Sequence, residues 1–137
     1  MMEKVIPGGI FKDLDLNGTA ETGTIYFEVP AGRVVELLYG EYECETSAVV
    51  GNRKFKSYIM SPIAGLVLSL FEFTLAASLT KVIDFGIPKI TETVIDDAIQ
   101  LPSRLLMDGG MQLYFFISSS QAGDWFSFFG KYIEWIN

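Results

Sequence analysis

The polar and apolar positions of this chain fall into short segments of period two, separated by glycine, proline, asparagine and aspartate. In residues 24–29, TIYFEV, the side chains of Ile25, Phe27 and Val29 alternate with Thr24, Tyr26 and Glu28, the period of a half-buried strand. The corner Pro30-Ala31-Gly32 ends it, and a long extended segment follows. There Val35, Leu37 and Tyr39 share a phase with Glu41, Glu43 and Glu45, so one face turns from apolar to acidic midway. Gly40 sits at the change and is the expected bulge or bend, in a strand that runs from the centre of a sheet to its rim. The step Val50-Gly51-Asn52 then leads into a strand over 53–60. These two strands are expected to pair as the central hairpin, with Lys54 and Lys56 facing the Glu41, Glu43 and Glu45 row.

Residues 66–75, LVLSLFEFTL, are apolar on both phases, as in a strand covered on both sides. Residues 76–86 supply another strand. The stretch 87–100, with Pro88, Thr91, Thr93, Asp96 and Asp97, reads as a loop around a short strand at 93–99. Leu101 and Pro102 open a new unit, and Asp108-Gly109-Gly110 makes a turn. In residues 111–118 the inward phase is Met111, Leu113, Phe115 and Ile117, while Tyr114 and Phe116 occupy the opposite face and call for a second layer or a neighbouring subunit. Residues 121–124 turn again, and residues 131–136 close the domain with Ile133 and Trp135 on one phase. No stretch has a helical period. About eight such segments predict an all-β fold, an antiparallel β-sandwich with jelly-roll-like, Greek-key crossings. Residues 1–23, rich in Gly, Asp, Asn and Thr, read as an N-terminal arm lying over a neighbour or over its own domain, and residues 24–137 as the sandwich.

Composition adds a partner. With 137 residues the chain can bury one core, yet it carries eleven Phe, six Tyr and two Trp and is 50% hydrophobic, which implies apolar surface facing another subunit. The formal net charge of -7 repels phosphate backbones and argues against direct nucleic-acid binding. Cys44 is the only cysteine, so no disulfide forms within the chain; its Glu43 and Glu45 neighbours raise a thiol pKa and make it a buried packing residue, not a nucleophile. Histidine is absent, which removes the commonest general base and metal ligand. Asp96 and Asp97 lack the spacing of a calcium loop, and neither a metal nor a cofactor is expected. The weakly polar run over 57–80 is interrupted by Pro62, Gly65 and Glu72. A carboxylate at a bilayer centre costs roughly 2.5–3.5 kcal/mol, so two strands joined by a turn are expected and no membrane span. Pro7, Gly8 and Gly9 break any secretory apolar core, so folding in a cytoplasm is expected.

Six phrases stand in order along the chain: VPAGR (29–33), SAVVGNRKF (47–55), AASLTKVIDFG (76–86), LPSRLLMDGGMQL (101–113), AGDWF (122–126) and YIEWI (132–136). Together they resemble small virion structural proteins of tailed bacteriophages. The resemblance implies a jelly-roll-like subunit without enzymatic activity that decorates or cements the capsid, or sits elsewhere on the virion. It also implies assembly in the host cytoplasm, with itself, as a homotrimer or other cyclic oligomer, and the major capsid protein as partners. The matching positions imply mechanical roles. Pro30 and Gly32 form a corner, Gly51 and Asn52 supply turn conformations, and Arg53 ties that turn to a carboxylate. Gly123 and Asp124 turn the chain before Trp125, while Glu134 and Trp135 close the last strand. The aromatic tail SSSQAGDWFSFFG departs from the pattern, which adds Trp125, Phe126 and Phe128 to the outward Tyr114 and Phe116 as the expected partner contacts.

Two other functions compete. A receptor- or carbohydrate-binding module on a tail or fibre would stack sugar rings on Trp125, Phe126, Phe128 and Tyr132. A small hydrolase would pair Asp96 with Asp124 as acid and base, with carboxyls about 5–10 Å apart.

Overall fold

The structure, a computed structural model, describes residues 8–86, 97–99 and 105–136. Among them are ten strands: β1 (Ile10–Thr19), β2 (Thr24–Glu28), β3 (Arg33–Glu45), β4 (Arg53–Ser61), β5 (Gly65–Leu75), β6 (Thr80–Phe85), β7 (Asp97–Ile99), β8 (Leu105–Asp108), β9 (Gln112–Ser118) and β10 (Trp125–Ile136). One sheet has the order β1-β10-β3-β6-β7, with β8 also on β3; the other has the order β2-β9-β4-β5. Apart from the short parallel β6–β7 pair, every pairing is antiparallel. The protein is an antiparallel β-sandwich, and the interleaving of β10 between β1 and β3, and of β9 between β2 and β4, is the nested Greek-key order of a jelly roll.

That order overturns the expected central hairpin. β3 and β4 lie in opposite sheets, and residues 46–52 arch from one to the other. Lys54 and Lys56 therefore meet Glu72 of β5, at 3.5 and 3.3 Å, and not the Glu41, Glu43 and Glu45 row. Within the expected N-terminal arm, residues 10–19 form β1, which pairs with β10 from Ile10↔Glu134 to Thr19↔Trp125.

Register shifts explain two sequence patterns. Opposite β10, Lys131 pairs with Tyr39 and Tyr132 with Leu37, which leaves Leu38 as an extra residue. A one-residue bulge flips every side chain beyond it to the other face. Val35 and Leu37 point inward before it, Tyr42 and Cys44 after it, and Glu41, Glu43 and Glu45 go to the outer face without the strand leaving the sheet centre. β5 is shifted twice against β4, between Ser57 and Tyr58 and between Ile59 and Met60. Its inward residues change from Phe73 and Phe71 to Leu68, so an apolar run on both phases serves a bulged edge strand, not one covered on both sides.

The core is aromatic. Tyr42 stacks on Phe115 at 5.3 Å between centroids, Phe115 stacks on Phe128 at 4.7 Å, and Phe85 meets Phe128 edge-on at 5.2 Å. Rings of this size fit because glycines lie under them. A Cβ on Gly40 would stand 2.2 Å from Phe128 Cζ, and one on Gly18 would stand 2.3 Å from Phe126 Cζ. Gly40 and Gly130 face each other across the β3–β10 ladder, and the Phe128 ring lies against both. Gly40→Ala is expected to lower stability by about 1–3 kcal/mol, the usual cost of overpacking, measured by urea unfolding; a midpoint unchanged from the parent would contradict this packing.

Candidate functional site

The residues with the most demanding chemistry gather at one end of the sandwich, where four connections meet. Asp124, in the turn before β10, accepts from Arg53 Nε at 2.9 Å and from the Gln121 amide at 2.7 Å through Oδ2, and from the Ser47 amide at 2.8 Å through Oδ1. Arg53, the first residue of β4, also donates to the carbonyls of Gly51 and Ser47 and to Ser47 Oγ. Both charged side chains are fully buried. Thr46 extends the network to the β5–β6 connection: its Oγ1 donates to the Ala76 carbonyl at 2.6 Å and accepts from the Leu79 amide at 2.9 Å. The β1–β2 connection joins through Ala20, whose amide donates to the Asp124 carbonyl and whose own carbonyl accepts from Ser120 Oγ. Gly51 and Gly123 hold positive φ angles of 136° and 91° in this network, whereas Asn52 is exposed. At the far end, Gly32 takes a φ of 75° in the corner after Pro30.

This geometry fixes what Asp124 can do. Burial alone raises its carboxyl, but the Arg53 guanidinium and the Gln121 and Ser47 amides outweigh that and hold it below the ordinary carboxylate value. A carboxylate held ionised with both oxygens engaged is a poor general acid. Asp96, its expected catalytic partner, lies outside the described residues, as do the Asp97 side chain and most of the predicted 93–99 strand. Cys44 is fully buried and donates to the Lys81 carbonyl at 3.8 Å; burial pushes its thiol up to about 12. The Tyr42 hydroxyl beside it has no oxygen or nitrogen partner among the described residues, and burial raises it too. Among the described residues no group of three or more His, Cys, Asp or Glu side chains is arranged to hold a metal ion. Nor is any helix there long and apolar enough to cross a membrane.

The expected partner contacts separate into two sets. Phe126 and Phe128 are buried in the core over Gly18 and Gly40, and Tyr132 is buried against Phe27, so these three are unavailable to a partner or a sugar. Trp125 is half-buried on the outer face of the β1-containing sheet. Trp135 is buried, with its indole over Gly9, and Glu134 pairs with Lys12 at 2.8 Å. Tyr114 and Phe116 do lie on an outer face, that of the β2-β9-β4-β5 sheet, half-exposed. Tyr114 is flanked there by Tyr26 of β2 and Tyr58 of β4, stacked at 5.1 and 5.3 Å between centroids. Tyr26 and Tyr58 escape a sequence reading because the stripe depends on the order β2-β9-β4. Beside Tyr58, toward β5, is a recess of about 390 Å³. A second recess of about 240 Å³ lies by exposed Phe129, with Tyr39, Glu41, Asp84 and Lys131 in its walls.

Compared with known proteins, the chain matches no family model and no curated protein.

The buried pair makes stability depend on acid. A depressed carboxyl contributes fully above the unfolded range of about pH 4 and loses that contribution as pH falls through the folded value. Asp124→Asn is expected to flatten this acid slope and to cost about 3–5 kcal/mol, because Arg53 is left as an uncompensated buried cation; denaturant titrations from neutral pH to pH 3 measure both. Cys44 is expected to resist thiol reagents at pH 8 in the folded protein and to react at the rate of unfolding. Rapid labelling without loss of native circular dichroism would count against its burial.

Proposed function

We propose that the chain is a non-catalytic structural subunit of a tailed-phage particle, a capsid decoration or cement protein acting through protein–protein contacts. One observation carries this reading beyond the sequence resemblance: apolar side chains are concentrated at one end of the β1-containing sheet. Phe11 and Leu106 are 72% and 45% exposed and share a row across the sheet with Ile133 and Glu36. Ile10 and Ile136, at 56% and 73%, stand at the same end on the opposite, inward phase of their strands. Full burial of one such side chain contributes about 1.5–3 kcal/mol, so Phe11 and Leu106 together reach only the low end of the cost of association, about 4–15 kcal/mol. A single contact of this kind is marginal. Repetition around a ring or over a shell multiplies it, which is the setting of a cement subunit.

Phe11→Glu combined with Leu106→Glu is expected to convert a homo-oligomer into monomers while shifting subunit stability by no more than about 0.5 kcal/mol, as exposed substitutions do. Native mass measurement and thermal melting read the two effects. A parent chain that is monomeric at every concentration, together with purified particles that lack it, would overturn the proposal.

A further inference from the structure

We propose that the outer face of the β2-β9-β4-β5 sheet carries a binding site for a neutral saccharide, centred on Tyr58 and the recess between β4 and β5. The tyrosine stripe supplies a prearranged aromatic wall. Tyr114 has both ring faces covered, one by Tyr26 and one by Tyr58, with interplanar angles of 30° and 19°. Tyr58 spends one face on Tyr114, on the β9 side. Its other face borders the recess on the β5 side, which is lined by Lys56, Tyr58, Met60, Leu66, Ser69 and Glu72 among others. The recess coincides with the two register shifts of β5, which disturb the regular outward packing of side chains there. Its volume of about 390 Å³ falls in the range of about 300–1,000 Å³ typical of small-molecule sites.

The lining selects the ligand class. A pyranose has an apolar C–H face and a rim of hydroxyls that both donate and accept. Tyr58, Met60 and Leu66 suit the first. Lys56 and Glu72, whose charged groups lie 3.3 Å apart, together with the Ser69 hydroxyl, suit the second. Lys54 and Lys56 both reach Oε1 of Glu72, so the acceptor capacity of Oε2 and the remaining ammonium hydrogens are left for hydroxyl groups. A cation meets two lysines at this site. A polyanion meets a chain of net charge -7. A neutral polyol meets neither penalty.

The site lies on the opposite sheet from Phe11 and Leu106, so the two readings fail separately. The test is an array of neutral oligosaccharides (β-glucan, mannan, galactan and N-acetylhexosamine series), followed by titration of the intact chain with the best binder. At least one series is expected to bind. Tyr58→Ala and Glu72→Gln, each with an unchanged melt, are expected to weaken it at least tenfold, whereas Trp125→Ala and the Phe11→Glu, Leu106→Glu pair leave it unchanged. Should Tyr58→Ala impair folding, Lys56→Met takes its place with the same expected loss. Array silence, binding that survives both Glu72→Gln and whichever of Tyr58→Ala and Lys56→Met folds, or retention of polyanions alone in a salt-sensitive manner would each overturn the site.

Discussion

The architecture depends on one buried ion pair, Arg53 with Asp124, which sits where the start of β4 in one sheet meets the start of β10 in the other. Taking both charges out of water is expensive, and such a pair adds little net stability compared with well-packed apolar residues. Its strength lies in what it forbids. Any slip of the arch over residues 46–52, or of the turn before β10, separates a guanidinium from its carboxylate in a dry site and strands amides that now point at that carboxylate. With Thr46 and Ala20 tied into the same network, the β1–β2, β3–β4, β5–β6 and β9–β10 connections are held in one arrangement. A jelly roll, whose strands cross repeatedly between sheets, needs such a specification because its pairings are almost all distant in sequence.

A second constraint shapes what remains outside. Phe126 and Phe128 enter the core only because Gly18, Gly40 and Gly130 leave room for their rings. With those rings inside, the surface aromatics include the stripe of Tyr26, Tyr114 and Tyr58 with Phe116 on the same face, Trp125 and exposed Phe129 on the other sheet, and Phe11 at the apolar end. The chain's aromatic content therefore divides between core and surface by glycine placement rather than by strand phase alone.

Local alternation made the strand faces legible where register is regular. In β2 and β9 the inward residues, among them Phe27, Leu113, Phe115 and Ile117, are those the period indicates. The corners at Gly32 and Gly51 and the turn at Gly123 were legible for the same local reason, whereas a carboxylate for Arg53 was implied only by the resemblance, which did not say which one. What stayed hidden is non-local. The extra residue at Leu38 has no signature of its own, so a bulge in the middle of a sheet looked like a strand running to its rim. WFSFFG is aromatic on both phases, so period alone marks only residues 131–136 of a strand that begins at Trp125, with Gly130 packed against Phe128. Sheet membership of β3 and β4 depends on partners far along the chain, which period cannot report.

The antiparallel pairing of β1 with β10 sets Ile10 beside Glu134, so the polypeptide enters and leaves the sandwich side by side. Tension applied through the two ends would open this ladder like a zip, rung after rung from Ile10 and Glu134, instead of shearing all its hydrogen bonds at once. Ile10 and Ile136 both lie at the end of the sandwich opposite the Arg53 network.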